Sequence, residues 1–558
     1  MISPVEIHDS SLRDSIGDFV TLHLKSVELT EILGLMDRIG FASFDAFGGA
    51  VFMPTMTILG EDPWQRLRII RDALRHTPLK TVLRGRMLFG RWIAPESTVR
   101  ATIRHLKNIG VDRLKIADAG LDPEGAALVV RMAKDAGFIV SGAVSVSWGE
   151  LPWIDDILAE TASLFEAAGA DAISLQDPYG LFTPAHAAET VRRHRELCRL
   201  PLVLHFHDVN LLGVASLAAG IDAGASGADT TLSTLSWNYS PPQAESLVMA
   251  LRGTSKDSGL DIGLLEKAAE WFEQAKIRKG FKYKAVYSID HYLLRGEMPV
   301  AMRRSLSDTL REAGRMDLIE ACWEKLPAIW RDLGRPPLLS PMVQAITAQA
   351  LENVSSGEQY GNLDYRVSAY LRGEFGPVRQ GARSDLLAKA SRETTAKKSL
   401  PLDVDNLSPD AYPSEDDRLT YAYFPALSDE FFRRRAKTRG DMPDTRFMGR
   451  GAEEEQTGRV PKRLVISRHG EEAEVALEGV GPQENGKRTL FLRIGGETAK
   501  IEVTSPAPGA PFVYTLTHHG KRHTFEFLEI LHAGKRFLPV KIKEDGKEEE
   551  LLYGFPRD

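Results

Sequence analysis

Apolar and polar positions follow a regular rhythm through the first half of the chain. Short apolar runs of strand type occur at VEIHDSS (5–11), FASFDAF (41–47), KTVLRGR (80–86), DRLKIAD (112–118), FIVSGAVSV (138–146), ADAISLQ (170–176), LPLVLHFH (200–207) and GADTTLSTL (227–235). Longer segments with apolar residues at helical spacing separate them, among them PWQRLRIIRDALRH and STVRATIRHLKNIG. Several of these segments end in glycine just before the next run, at Gly40, Gly110 and Gly137, as helix C-termini do. Eight strand–helix units over about 250 residues predict a (β/α)8 TIM barrel, an α/β fold, for residues 1–285. An open doubly wound sheet is disfavoured, because no GxGxxG follows the first run.

The rhythm changes twice further on. Residues 377–418 are polar and read as a long surface excursion, partly ordered by packing, and residues 441–461 carry Gly, Pro and charge without periodicity and read as a linker. From 462 to 558 strict alternation takes over, punctuated by HG, NGK, GG, HGK and DGK, which predicts hairpins and a small all-β module.

A chain of 558 residues exceeds one ordinary core, in line with several domains. A net charge of -7 spread over that length gives no footprint for nucleic acid or an anionic membrane surface. Cys198 and Cys322 stand far apart and form no metal or redox pattern, which fits a reducing cytoplasm. No stretch approaches a membrane span, and the N-terminus lacks a basic region followed by an apolar run, so a soluble cytoplasmic protein is expected.

In a TIM barrel the chemistry sits at the C-terminal ends of the strands. The first run ends in Asp9-Ser10-Ser11-Leu12-Arg13-Asp14, the third in Leu83-Arg84-Gly85-Arg86, the fourth in Asp118 and the sixth in Gln176-Asp177. The seventh carries His205 and His207, two apart and therefore on one face. Alone, that pair is equally well a pair of satisfied core histidines. With Asp14 it makes an Asp/His/His cluster with open positions, suited to Zn, Mn, Co, Fe(II) or Mg. Arg13 beside such an ion can stabilise a developing enolate oxygen, and Arg84 can hold a substrate carboxylate. The competing reading makes Arg13–Asp14 and Arg84–Asp118 structural ion pairs.

The strings DSSLRD, ILGEDPWQRLR (58–68), LRGRMLFG, LHFH and SLQDPYGLFTP resemble, in order, the carboxyltransferase part of pyruvate carboxylase, the alpha chain of oxaloacetate decarboxylase and the 5S chain of transcarboxylase. DLGRPPLLSPMVQAITAQALENVSSGEQY (332–360), VSAYLRGEFG and LTYAYFPALSDEFFRRR extend the likeness to about residue 440. The resemblance implies a mainly helical domain at 286–440 completing the barrel mouth, a divalent metal on Asp14, His205 and His207, and substrate gripped by Arg84. It also implies a carboxyl group exchanged between carboxybiotin and a small 2-oxo acid, partner chains supplying biotin carboxylase and biotin carrier, and a homodimer within the complex. The biotinylated lysine of relatives lies in an AMKM hairpin absent here; Lys521, Lys535 and Lys547 read as turn lysines, so carboxybiotin comes from another chain.

Four positions depart from the family pattern. Gln176 stands where the family has a lysine carboxylated on its amine, the fourth metal ligand; an amide is a neutral, poorer donor. Gly17 replaces a substrate-contacting glutamine, and Arg91 replaces a tyrosine. Tyr239 stands for the threonine that shuttles a proton, and can carry one itself. Arg86 and Arg91 add charge that hints at a substrate more anionic than pyruvate. HFHD also resembles the metal-dependent lyases that include hydroxymethylglutaryl-CoA lyase, in which an Asn after strand eight is the fourth ligand; Asn238 is the candidate here. Gln176 and Asn238 are thus the possible fourth ligands. A biotin-independent lyase and a catalytically silent scaffold are the alternative functions.

Overall fold

The computed structural model describes residues 4–15, 19–118, 121–236, 239–281, 289–294, 297–392 and 402–439, together with strand backbone between 463 and 554. Eight parallel strands close into a barrel in sequence order: β1 (Glu6–Asp9), β2 (Ser43–Phe47), β3 (Leu79–Leu83), β4 (Arg113–Asp118), β5 (Ile139–Ser145), β6 (Ala172–Asp177), β7 (Leu202–Phe206) and β8 (Gly227–Thr230). β1 pairs with both β2 and β8, His8 lying opposite Ser43 on one side and Asp229 on the other, which closes the ring. Each of the eight apolar runs overlaps one strand.

The intervening helices begin and end where side-chain chemistry dictates. Helix Pro63–Ala73 starts with Pro at its first turn and with Asp62 accepting from the backbone N–H groups of Trp64 and Gln65. Helix Glu96–Ile109 stops at Gly110, whose φ of 94° is a left-handed conformation that costs glycine little. The helices turn their apolar stripes onto the strands, and Leu67, Ile70, Val99, Leu106, Val129 and Leu217 are fully or almost fully buried there.

A second apolar core lies over the C-terminal end of the barrel. Helices Val300–Glu312, Ile319–Asp332, Met342–Ser356 and Tyr365–Leu371 bury Leu306, Leu326, Ile346 and Tyr370 together with Met87, Leu121 and Tyr179 from the barrel's own loops. Residues 402–439 do something else: they fold back along the outside of the barrel onto helices Pro63–Ala73 and Glu96–Ile109. There Arg68 holds Asp416 in a bidentate pair at 2.7 and 2.8 Å, and Trp64 Nε1 donates to Thr420 at 3.0 Å. The polar run 377–418 is therefore partly a packed strap, because its charges meet partners on the barrel helices.

Contacts divide the chain into Met1–Asp444 and Thr445–Asp558. The second unit is an antiparallel sheet of nine described strands. Six of its strand pairs are joined by two residues: Arg468 pairs with Glu471, Glu484 with Lys487, Ile494 with Glu497, His518 with Lys521, His532 with Lys535 and Glu544 with Lys547. Lys521, Lys535 and Lys547 each open a strand directly after such a connection. Among the described residues no helix is long and apolar enough to cross a membrane, and both cysteines are buried and unbridged.

Candidate metal centre and substrate cavity

The barrel mouth is built from β1 upward. Beyond Asp9 the chain makes one helical turn, Ser11–Asp14, pinned because Asp9 accepts from the Ser11 backbone at 3.1 Å and from its hydroxyl at 2.7 Å. Ser11 Oγ in turn accepts from the Leu232 backbone at 2.9 Å, tying the turn to the segment that follows β8. This throws Arg13 and Asp14 over the barrel axis. Arg13 Nε donates to Asp45 on β2 at 2.8 Å, and its Nη2 lies 3.1 Å from Asp14 Oδ2.

From two strands away, β7 and the residue just after it bring both histidines to the same carboxylate. His205 Nε2 lies 2.9 Å and His207 Nε2 3.4 Å from Asp14 Oδ2. The three residues can present ligand atoms all within 4.8 Å of one another. His205 Nδ1 is 2.9 Å from Asp229 Oδ2 on β8. A carboxylate can only accept, so Nδ1 carries a proton, and Nε2 is the ring nitrogen that faces Asp14. Two acceptors 2.9 Å apart repel unless a cation, proton or metal, lies between them. Asp14 Oδ2 is buried and makes no hydrogen bond of good geometry, so it too lacks a donor. Burial by itself would raise Asp14, but the charge of Arg13 and the two histidines outweigh it and hold the carboxyl well below its usual range. An ionised carboxylate, a tautomer-locked imidazole and a second imidazole with an open side fit a divalent ion.

Around this trio lies a cavity of about 240 Å³, lined also by Arg13, Gly49, Arg84, Gln176 and Ser340. A side chain at Gly49 would meet the Phe89 carbonyl at 2.8 Å, so glycine is what allows the wall to come so close. Arg84 donates to the carbonyl of Ser340, from the helical segment above. Among the described residues no carboxylate lies within ion-pair distance of it. Burial and the nearby charge of Arg91 push its pKa down to about 10, still cationic at neutral pH.

The structure thus brings Arg13, Asp14, Arg84, Gln176, His205 and His207 into one cavity. Gln176 Oε1 already accepts from Ser145 Oγ at 2.9 Å. Arg86, Arg91 and Tyr239 do not line the cavity. Arg86 is bound to Asp122 at 2.6 Å, and Arg91 is exposed. Tyr239 lies below the Arg304 guanidinium, 5.8 Å from its ring centroid, with its phenol raised by burial. Gly17 and Asn238 lie outside the described residues, as does the side chain of Asp118. Of the two ion pairs in the competing reading, Arg13–Asp14 exists, while Arg84 turns to Ser340. Asp229, Asp45 and Ser340 are neighbours of the site that the sequence does not single out; Asp229 and Asp45 are acids inside the eighth and second apolar runs, and Ser340 carries no local signal.

Comparison with known proteins places the chain. It is 30% identical over 524 residues to a pyruvate carboxylase subunit of Methanocaldococcus jannaschii, covering 90% of this chain and 89% of that one. The chain belongs to this family of pyruvate carboxylase subunits. Two family models match it, the conserved carboxylase domain over residues 293–482 and HMGL-like over residues 123–271. The 2-oxoglutarate carboxylase large subunit of Hydrogenobacter thermophilus is 28% identical, over 90% of this chain and 80% of that one. The carboxyl transferase domain of Rhizobium etli pyruvate carboxylase shares the fold, with a TM-score of 0.71, 21% identity and coverage of 90% of this chain and 89% of that one. In this member of the pyruvate carboxylase subunit family, the family strings fall on structural joints. LGEDPW supplies the Asp62 cap and the buried Trp64, and SLQDPYG supplies Asp177, whose carboxylate accepts from the Tyr179 and Phe182 backbone at 3.1 and 2.9 Å.

Proposed function

We propose that this chain is the carboxyltransferase subunit of a multi-chain biotin-dependent carboxylase or decarboxylase. It would move a carboxyl group between carboxybiotin, brought by a separate carrier chain, and the carbon beside the 2-oxo group of a small acid. The observation that supports this most directly is the convergence of Asp14, His205 and His207 on one point of a barrel-mouth cavity that also holds Arg84, a cation without a counter-carboxylate among the described residues. Asp14, His205 and His207 would hold a divalent ion, which when bound supplies a Lewis acid for the 2-oxo group. Asp14 stays ionised because Arg13 lies beside it, and Asp229 keeps His205 in the liganding tautomer. Arg13 Nη2 makes no hydrogen bond of good geometry, and so has N–H available for an oxygen on which negative charge develops. Arg84 would take the substrate carboxylate in exchange for the Ser340 carbonyl. The proton leaving the accepting carbon would pass to the biotin nitrogen, with Tyr239 reaching the cavity only if its loop closes. Homodimerisation within the complex is part of this reading.

Metal analysis of the purified chain tests it. A stoichiometric divalent ion, lost in the Asp14→Ala, His205→Ala double variant, is the expected result. A chain that remains free of metal after supplementation overturns the reading. Copurification with a biotinylated chain separates carboxyl transfer from a biotin-independent lyase. Gln176→Lys should tighten metal binding, and carboxyl transfer should rise with it.

A further inference from the structure

The barrel interior below the mouth is charged in layers. At the level of the cavity, Asp14 and Asp45 share one guanidinium, Arg13, leaving an excess negative charge. One layer down the balance is reversed. Asp229 takes both buried ammonium groups, Lys80 at 2.6 Å and Lys115 at 2.5 Å, so two cations share one carboxylate. Their side chains are 6% and 1% exposed, so water does not screen them. Arg113, at the barrel floor, has only Glu6 nearby among the described residues, at 3.6 Å and half exposed.

Against this layer lies a cavity of about 50 Å³, lined by His8, Lys80, Arg113, Lys115 and Ser174 among others. It is separate from the substrate cavity and lies toward the opposite end of the barrel. Ser174 is 1% exposed and its hydroxyl makes no hydrogen bond among the described residues; Arg113 Nε is likewise buried without a partner. Each ammonium also spends only one of its three N–H groups on Asp229. Ile139, on the cavity wall, is 48% exposed and marks where the floor meets solvent. His8 adds no charge, since burial and the charge of Lys80 hold it well below its ordinary value.

We propose that the barrel floor is a binding site for a small monovalent inorganic anion of halide size, held by Lys80, Lys115, Arg113 and the Ser174 hydroxyl. The volume exceeds what one water needs. The anion supplies the acceptor that Ser174 and Arg113 lack and meets the ammonium N–H groups that Asp229 leaves unused.

Bromide is the probe. Crystals of the full chain grown in bromide should show an anomalous peak in the floor cavity. At constant ionic strength, melting should shift upward in chloride or bromide relative to gluconate, which is too large to enter. Lys80→Met leaves Lys115 and Asp229 as a balanced pair, and should abolish both the peak and the halide-specific shift. Ser174→Ala, a change small enough to leave folding intact, should raise the halide midpoint several-fold. Water alone in the floor, melting that is equal in halide and gluconate, or a halide response unchanged in these variants would each overturn the proposal.

Discussion

The Asp229 carboxylate governs more of the mouth than any residue that touches the cavity. Burial alone would raise its pKa, but Lys115, Lys80 and His205 hold it well below the usual carboxylate range, so it remains an acceptor through ordinary pH. Its hold on His205 Nδ1 decides which ring nitrogen faces Asp14. Asp229→Asn keeps the size, yet its amide can turn an N–H toward Nδ1 and favour the wrong tautomer. Divalent-metal affinity, followed by titration, should fall roughly 10- to 100-fold, as it does when such supporting carboxylates are lost elsewhere. Unchanged affinity would mean that the tautomer is set some other way. Legibility at this scale followed locality. Asp14, His205 and His207 were visible because each lies next to a strand signal in the sequence. Lys80 and Lys115 were not, since an alternating lysine within a strand reads as solvent-facing until the barrel closes and turns it inward. Arg86 looked like a mouth charge, but its partner Asp122 lies 36 residues away, after β4.

At the scale of elements, helix Pro63–Ala73 shows what LGEDPW does for the fold. Trp64 is fully buried, packing edge-on against Phe52, Phe89 and His105 with ring centroids 5.2, 5.8 and 4.7 Å away. Trp64→Ala should cost about 3–5 kcal/mol in denaturant unfolding, with no change in metal content at temperatures where the variant is folded. The strap that covers this helix makes a pH-dependent contribution. Burial would raise Asp416, but His105 and Arg68 bring it down to about 2. A carboxylate lowered in the folded state stabilises above its unfolded pKa near 4, and that stabilisation disappears as pH falls through about 2. Asp416→Asn should therefore lose about 2 kcal/mol at neutral pH, and the two unfolding curves should converge between about pH 4 and pH 2. Where the strap packs could not be read from 377–418, because its composition is that of a solvated loop and its binding partners lie some 350 residues upstream.

For the molecule from Met1 to Asp444, the barrel period was legible because eight apolar runs with helices between them admit few other closures. What periodicity does not convey is how closely the barrel is tied to the helices above it. The Tyr179 hydroxyl donates to the Leu338 carbonyl, and the Leu338 N–H donates to Ser147 Oγ at 2.6 Å. Trp92 meets Phe375 at 4.7 Å and Trp148 meets Trp330 at 5.0 Å between ring centroids. Arg84 reaches Ser340 across the same boundary, so one wall of the substrate cavity belongs to the helical segment. A fragment ending at residue 289 would leave these aromatic faces and polar atoms exposed at the end of the barrel that holds Asp14, His205 and His207. Such a fragment should keep far-UV helix and strand signal but lose near-UV tertiary signal and bind a hydrophobic dye. A fragment ending at residue 439 retains every one of these contacts. It should show the near-UV signal and, under the proposed function, the same divalent-metal stoichiometry as the full chain. If the shorter fragment proved equally well ordered, the helical segment would be a cover on a finished barrel, and Arg84 could be free of Ser340 without loss of order at the mouth.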